Sequence, residues 1–117
     1  MRHIHTIIIA VAVGALASSA AQAGATDMVQ QGEKIFTTKK LGNCLACHAA
    51  NGKALDGPGS LGPKLQGLSV WPKKALYDKI YDPYTTNPIS AMPAFGKNGW
   101  LNTQQINALV AYLKTIN

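Results

Sequence analysis

Five consecutive residues, Cys44-Leu45-Ala46-Cys47-His48, constrain this chain more than any other feature. A C-x-x-C-H sequence is the attachment site of c-type haem. Two thiols add across the two porphyrin vinyl groups, and two intervening residues set their separation on one helical turn. The imidazole that follows then lies under the iron as its proximal ligand. Two buried cysteines beside an unrelated histidine would leave the same five letters, so the rest of the chain has to decide between the readings.

The N-terminus supports the haem reading. Arg2 precedes an apolar run from Ile7 to Ala17, and small residues follow up to Ala21-Gln22-Ala23, an A-x-A-like cleavage site. The run is too short to span a bilayer as a permanent helix, and it has no polar face with which to lie on a protein surface. Residues 1–23 read as a cleaved export signal, with a second cut possible after Ala25, and in a bacterium export means the periplasm. No membrane span is expected once the signal is removed. The domain expected from 24 to 117 is 94 of the 117 residues, one small unit. So short a chain buries little surface, and a covalently held haem would complete its core.

The cysteine count agrees. Cys44 and Cys47 are the only two cysteines, and a disulfide between residues one turn apart would close a tiny loop and stabilise little. A thioredoxin-type redox pair would leave His48 unexplained and lacks its strand–helix surroundings. The formal charge of +6 falls to +5 without Arg2. The lysines are scattered, with only Lys39-Lys40 and Lys73-Lys74 adjacent, and nothing suggests nucleic-acid binding. Positive charge of this kind suits a solvated surface or a docking face for acidic redox partners.

The patterning predicts an all-α chain of about four short helices with long loops. Asp27 fits the cap of a helix from about Met28 to Thr38, with Gly32, Ile35 and Phe36 facing inward. The haem-binding helix is expected over about Cys44 to Ala49. The loop from Asn51 to Gly67 holds too many glycines and prolines for regular structure, and its length predicts that it packs on something. A helix over about Pro72 to Tyr81 should bury Leu76 and Ile80. Tyr84 to Leu101 reads as a second irregular stretch. Asn102 with Gln105 resembles a capping box, ahead of an apolar face formed by Ile106, Leu109, Val110 and Leu113.

The second axial position on the iron follows by elimination. His3 and His5 leave with the signal, so His48 is the single histidine of the remaining chain, and bis-histidine ligation from within it is impossible. Both cysteines are spent on thioether bonds. Methionine, lysine or an open site remain. Met28 suits a flexible core residue, whereas Met92 lies in the irregular segment Ser90-Ala91-Met92-Pro93-Ala94-Phe95-Gly96, stiffened by Pro93. The expected pair is His48/Met92, a ligation that raises the reduction potential and suits electron transfer. No catalytic residue is predicted in this chain.

These features together resemble the class I c-type cytochromes over nearly the whole sequence after the signal. Gly32 and Phe36 match that family's first-helix glycine and aromatic, and the likeness implies a close crossing with the last helix near Tyr112-Leu113. Gly62-Pro63-Lys64-Leu65 resembles the family's loop after the haem-binding helix, which implies that the Pro63 carbonyl accepts a hydrogen bond from His48. A narrower likeness runs through Gly42 to His48, Tyr81-Asp82-Pro83, Asn87-Pro88, Met92 to Gly96, Gln105-Ile106 and Ala111-Tyr112-Leu113. This order is similar to the SoxX family, small monohaem subunits of the SoxAX cytochromes of bacterial sulfur oxidation.

The SoxX likeness implies a periplasmic heterodimer with a SoxA-like dihaem or monohaem subunit. It also implies transient contact with the SoxYZ carrier and with an acceptor cytochrome. The complex would be an L-cysteine S-thiosulfotransferase, joining thiosulfate oxidatively to the carrier cysteine, with its catalytic haem on the partner subunit. A free-standing cytochrome shuttling electrons in a respiratory chain is the alternative. A gas-binding or peroxidase-like protein is disfavoured, because no distal histidine or arginine follows the signal. Trp71, Tyr77, Tyr81, Tyr84 and Trp100 supply rings for packing on haem and for a partner interface.

Overall fold

The computed structural model describes residues 16–117. Three α-helices, α1 (Leu16–Thr37), α2 (Lys73–Tyr81) and α3 (Thr103–Leu113), alternate with 3-10 turns at Cys44–Ala46, Leu68–Val70 and Pro83–Thr85. The extended pairing among the described residues is one isolated parallel bridge between Ala50 and Leu65. The chain is all-α, as its patterning predicts. No helix among the described residues is long and apolar enough to cross a membrane.

The expected export signal lies largely outside the described residues. α1 runs unbroken through Ala23 and starts well before the predicted cap, so Asp27 sits inside the helix and its carboxylate accepts a hydrogen bond from Gln31 Nε2 at 2.9 Å. The segment before Asp27 is rich in alanine, the residue with the highest helix propensity, which outweighs Ser18, Ser19, Gly24 and Thr26 and carries the helix on.

α1 and α3 cross to form the core. Ile35 and Phe36 of α1 are buried against Ile106, Leu109, Val110, Tyr112 and Leu113 of α3, with Ile116 beyond its end. The Phe36 and Tyr112 rings meet at 5.3 Å and 58°, a tilted geometry that aromatic quadrupoles favour. Each of these large side chains contributes about 1.5–3 kcal/mol on burial. Gly32 makes the crossing possible: a Cβ there would strike the Ala108 carbonyl oxygen and stand 2.7 Å from Tyr112 Cβ.

Local signals set the other helices. Asn102 Oδ1 accepts from the Gln105 amide at 2.8 Å and Gln105 Oε1 accepts from the Asn102 amide at 2.9 Å, a complete capping box. α2 buries Leu76 and Ile80, and Pro72 caps it from just outside. The haem-binding helix is much shorter than the spacing predicts, a single 3-10 turn. Asn43 enters it in the left-handed region at φ 49° and Cys47 leaves it at φ −121°. The carbonyls that would continue a helix are taken by the following loop: Leu45 O accepts from Gly59 N–H and Cys47 O from Gly62 N–H, both at 2.9 Å. The loop from residue 51 to 67 is thus packed back onto the C-x-x-C-H turn.

Candidate haem-binding site

The 3-10 turn places Cys44 at its start and Cys47 at its end, with the His48 amide donating to Cys44 O at 2.9 Å. The reversal that presents this turn is anchored on α1, where Ile35 O accepts the amides of Gly42 at 3.1 Å and Asn43 at 3.3 Å. Asparagine tolerates the left-handed conformation required there.

His48 is oriented from the opposite side. Its Nδ1 lies 2.7 Å from the Pro63 carbonyl oxygen. A carbonyl only accepts, so Nδ1 carries the proton and Nε2 keeps its lone pair free for a metal. Such a contact fixes both the tautomer and the ring plane of a ligating imidazole. The preceding residue has to be glycine: a Cβ on Gly62 would lie 2.7 Å from Nδ1 and 2.8 Å from Nε2, and closer still to Cε1.

Met92 is partly buried and packs against the core cluster. Its amide donates to Ser90 Oγ at 3.1 Å, and the chain turns immediately after it, with Phe95 N–H donating to Pro93 O at 3.1 Å. A cleft of about 350 Å³ opens between the two segments. Cys47, Ala46 and Asn43 line one side, and Pro93, Phe95 and Trp100 the other. The fold therefore brings the C-x-x-C-H turn and the methionine loop to one cavity, although Cys47 and Pro93 are 46 positions apart in the chain.

These residues fit a c-type haem. Two thiols one turn apart, an imidazole with a free Nε2, and a glycine notch that leaves room for the ring form a donor set for a porphyrin-borne iron. No group of three or more His, Cys, Asp or Glu side chains capable of holding a bare metal ion occurs among the described residues. Burial pushes the Cys44 thiol up to about 12; a backbone hydrogen bond opposes the rise and Cys47 adds to it. The Tyr112 hydroxyl is buried without a hydrogen-bond partner, and its pKa is raised by burial, then by Glu33 and Cys44. Asp82 enters the sequence reading only within the segment Tyr81-Asp82-Pro83; its burial and its ion pair with Lys97 at 3.1 Å have no signal in the patterning.

The fold and this donor set define a class I c-type cytochrome. Residues 27–113 match the family model described as cytochrome c oxidase, cbb3-type, subunit III, and the chain belongs to that family. It is similar to a chain in the crystal structure of SoxXA from P. pantotrophus, at 31% identity and a TM-score of 0.65, over 74% of this chain and 79% of that one. The chain is a SoxX-like cytochrome. It is also 39% identical over 77 residues to an uncharacterised lipoprotein of Aquifex aeolicus (strain VF5), a match that covers 63% of this chain and only 36% of that protein.

Proposed function

We propose that this chain is a periplasmic monohaem electron-transfer subunit of a SoxAX-type complex. Cys44 and Cys47 would hold the haem through thioether bonds, and His48 and Met92 would ligate its iron. The observation that carries the reading is the SoxXA likeness, which extends over most of both chains; a C-x-x-C-H turn whose His48 is oriented by the Pro63 carbonyl supports it.

When bound, the haem supplies one-electron redox chemistry at a potential raised by histidine–methionine ligation. The chain's own residues do the rest. Pro63 keeps the proton on His48 Nδ1, and the Gly62 notch keeps the ring in its plane. Pro93 and Phe95 bring the methionine loop over the cleft. With Cys44, Cys47 and His48 committed, no thiol or imidazole after residue 23 is left to carry sulfur or act as a base. Joining thiosulfate to a carrier thiol releases one proton and two electrons, and the bond-making site belongs on the SoxA-like subunit. Trp71, Tyr84 and Trp100 stay exposed and are the kind of rings that interfaces enrich.

Native purification from the periplasm tests the assignment. Co-elution with a second, larger c-type cytochrome, and loss of thiosulfate-dependent carrier modification when either is removed, are expected. Elution as a monomer with one haem and no partner would overturn the subunit assignment in favour of a free-standing electron shuttle. The oxidised protein should also show the methionine–iron charge-transfer band, and Met92→Ala should abolish it and lower the midpoint potential.

A further inference from the structure

The loop that carries Met92 is closed at its neck by contacts that belong to neither the haem attachment turn nor the α1–α3 core. Asp82, directly after α2, is 8% exposed, and both of its carboxylate oxygens are engaged. Oδ1 accepts from the Tyr84 amide at 3.1 Å and Oδ2 accepts from Lys97 Nζ at 3.1 Å. The Lys97 amide in turn donates to Tyr81 O at 3.0 Å. One residue earlier, Gly96 lies on the Tyr81 ring so closely that a Cβ would run into Cδ2 and stand 2.8 Å from Cγ and Cε2. Residues 81–84 and 96–97 are thereby tied together, which closes the neck of the loop that carries Met92, in addition to the packing of Met92 and Phe95 on the core.

A turn cap needs only part of this arrangement. Asp82 caps the 3-10 turn Pro83–Thr85 through the Tyr84 amide alone. Lys97 has no part in that turn and sits fifteen residues away. Its side chain is 63% exposed while that of Asp82 is 11% exposed, so the lysine spans from solvent to a largely desolvated carboxylate. Losing it would leave that carboxylate buried with one neutral donor, a situation more costly than breaking a surface ion pair.

We propose that the neck formed by Tyr81, Asp82, Gly96 and Lys97 is a latch that positions Met92 and sets how completely its thioether occupies the sixth coordination position. The proposal rests on Met92 being an axial ligand. Asp82 and Lys97 are positioning residues. Their contacts at the neck are to each other and to the Tyr84 amide and the Tyr81 carbonyl, and they act by closing the loop that presents the methionine.

The test uses the full-length holoprotein with Lys97→Leu, Asp82→Asn and Gly96→Ala. Lys97→Leu keeps the apolar stem and alters an exposed position, so it guards against a folding failure of Asp82→Asn. In all three the methionine–iron charge-transfer band should lose intensity and the midpoint potential should fall. Hydrogen exchange of the Tyr84 and Lys97 amides should rise about tenfold or more as the neck opens locally, while the α3 amides stay at parental rates. Removing the ring in Gly96→Ala/Tyr81→Leu should restore part of the band. Lys97→Leu with parental band, potential and loop exchange overturns the latch, and so does exchange that rises equally in α3. A parent protein with no methionine–iron band overturns the axial role of Met92 itself.

Discussion

Replacing Gly62 by alanine adds one methyl group where the His48 ring stands. The new Cβ would lie 2.7 Å from Nδ1 and 2.8 Å from Nε2, against ordinary contacts of about 3.5 Å. The ring or the loop must retreat by about 0.8 Å to clear Nδ1, and further to clear Cε1. Each is held: the Gly62 amide donates to Cys47 O at 2.9 Å and the ring bonds Pro63 O at 2.7 Å. A retreating ring stretches that bond beyond the usual limit of about 3.2 Å. Overpacking costs about 1–3 kcal/mol and a lost hydrogen bond about 0.5–1.5 kcal/mol. A loss of roughly 2–4 kcal/mol is a large part of a domain's stability. Urea unfolding of the holoprotein reads it directly. With a slope of about 1–3 kcal/mol/M, the midpoint should drop by roughly 1–2 M at unchanged slope. The midpoint potential should rise, because an imidazole without its carbonyl partner is a weaker donor to the oxidised iron. A midpoint within about 0.2 M of the parent and an unchanged potential would refute the notch.

Two further outcomes follow from the packing. Gly32→Ala drives a Cβ into the Ala108 carbonyl, a backbone atom that cannot swing aside. The α1–α3 crossing should open, with a loss of about 1–3 kcal/mol and a fall in melting temperature of several degrees per kcal/mol, about 4–8 °C for a domain of this size; a parental melting curve would contradict it. In the haem-free chain, Cys44 should resist alkylation. Raised from the usual 9.0 to about 12, its thiol supplies about a thousandfold fewer thiolates near neutral pH than an ordinary cysteine. Because the fold favours the protonated thiol, this contribution to stability is complete below about pH 9 and is lost as pH rises toward 12. Mass-spectrometric mapping of iodoacetamide labelling against pH checks both the resistance and its release.

The parts of the fold legible in the sequence are those whose causes are local. The Asn102–Gln105 box and the apolar stripe of Ile106, Leu109, Val110 and Leu113 lie within one turn or one face of their own helix, and α3 forms as they predict. The start of α1 and the length of the haem-binding turn departed from expectation for different reasons. In α1, alanine-rich chain before Asp27 carries the helix past a plausible cap. At Cys44–Ala46, the amides of Gly59 and Gly62 capture the carbonyls that a longer helix would need.

The sequence by itself determined which donors this chain can offer a haem. Thioether attachment depends on two thiols and an imidazole at a spacing of a few residues, and counting the remaining cysteines and histidines requires no coordinates. Only the tertiary structure decided how that chemistry is held. The bond from His48 to Pro63 spans fifteen residues, as does the tie from Asp82 to Lys97, and neither glycine 62 nor glycine 96 announces which ring it must admit. Contacts of that kind arise from where loops close in space, and loop closure leaves no periodic trace along the chain.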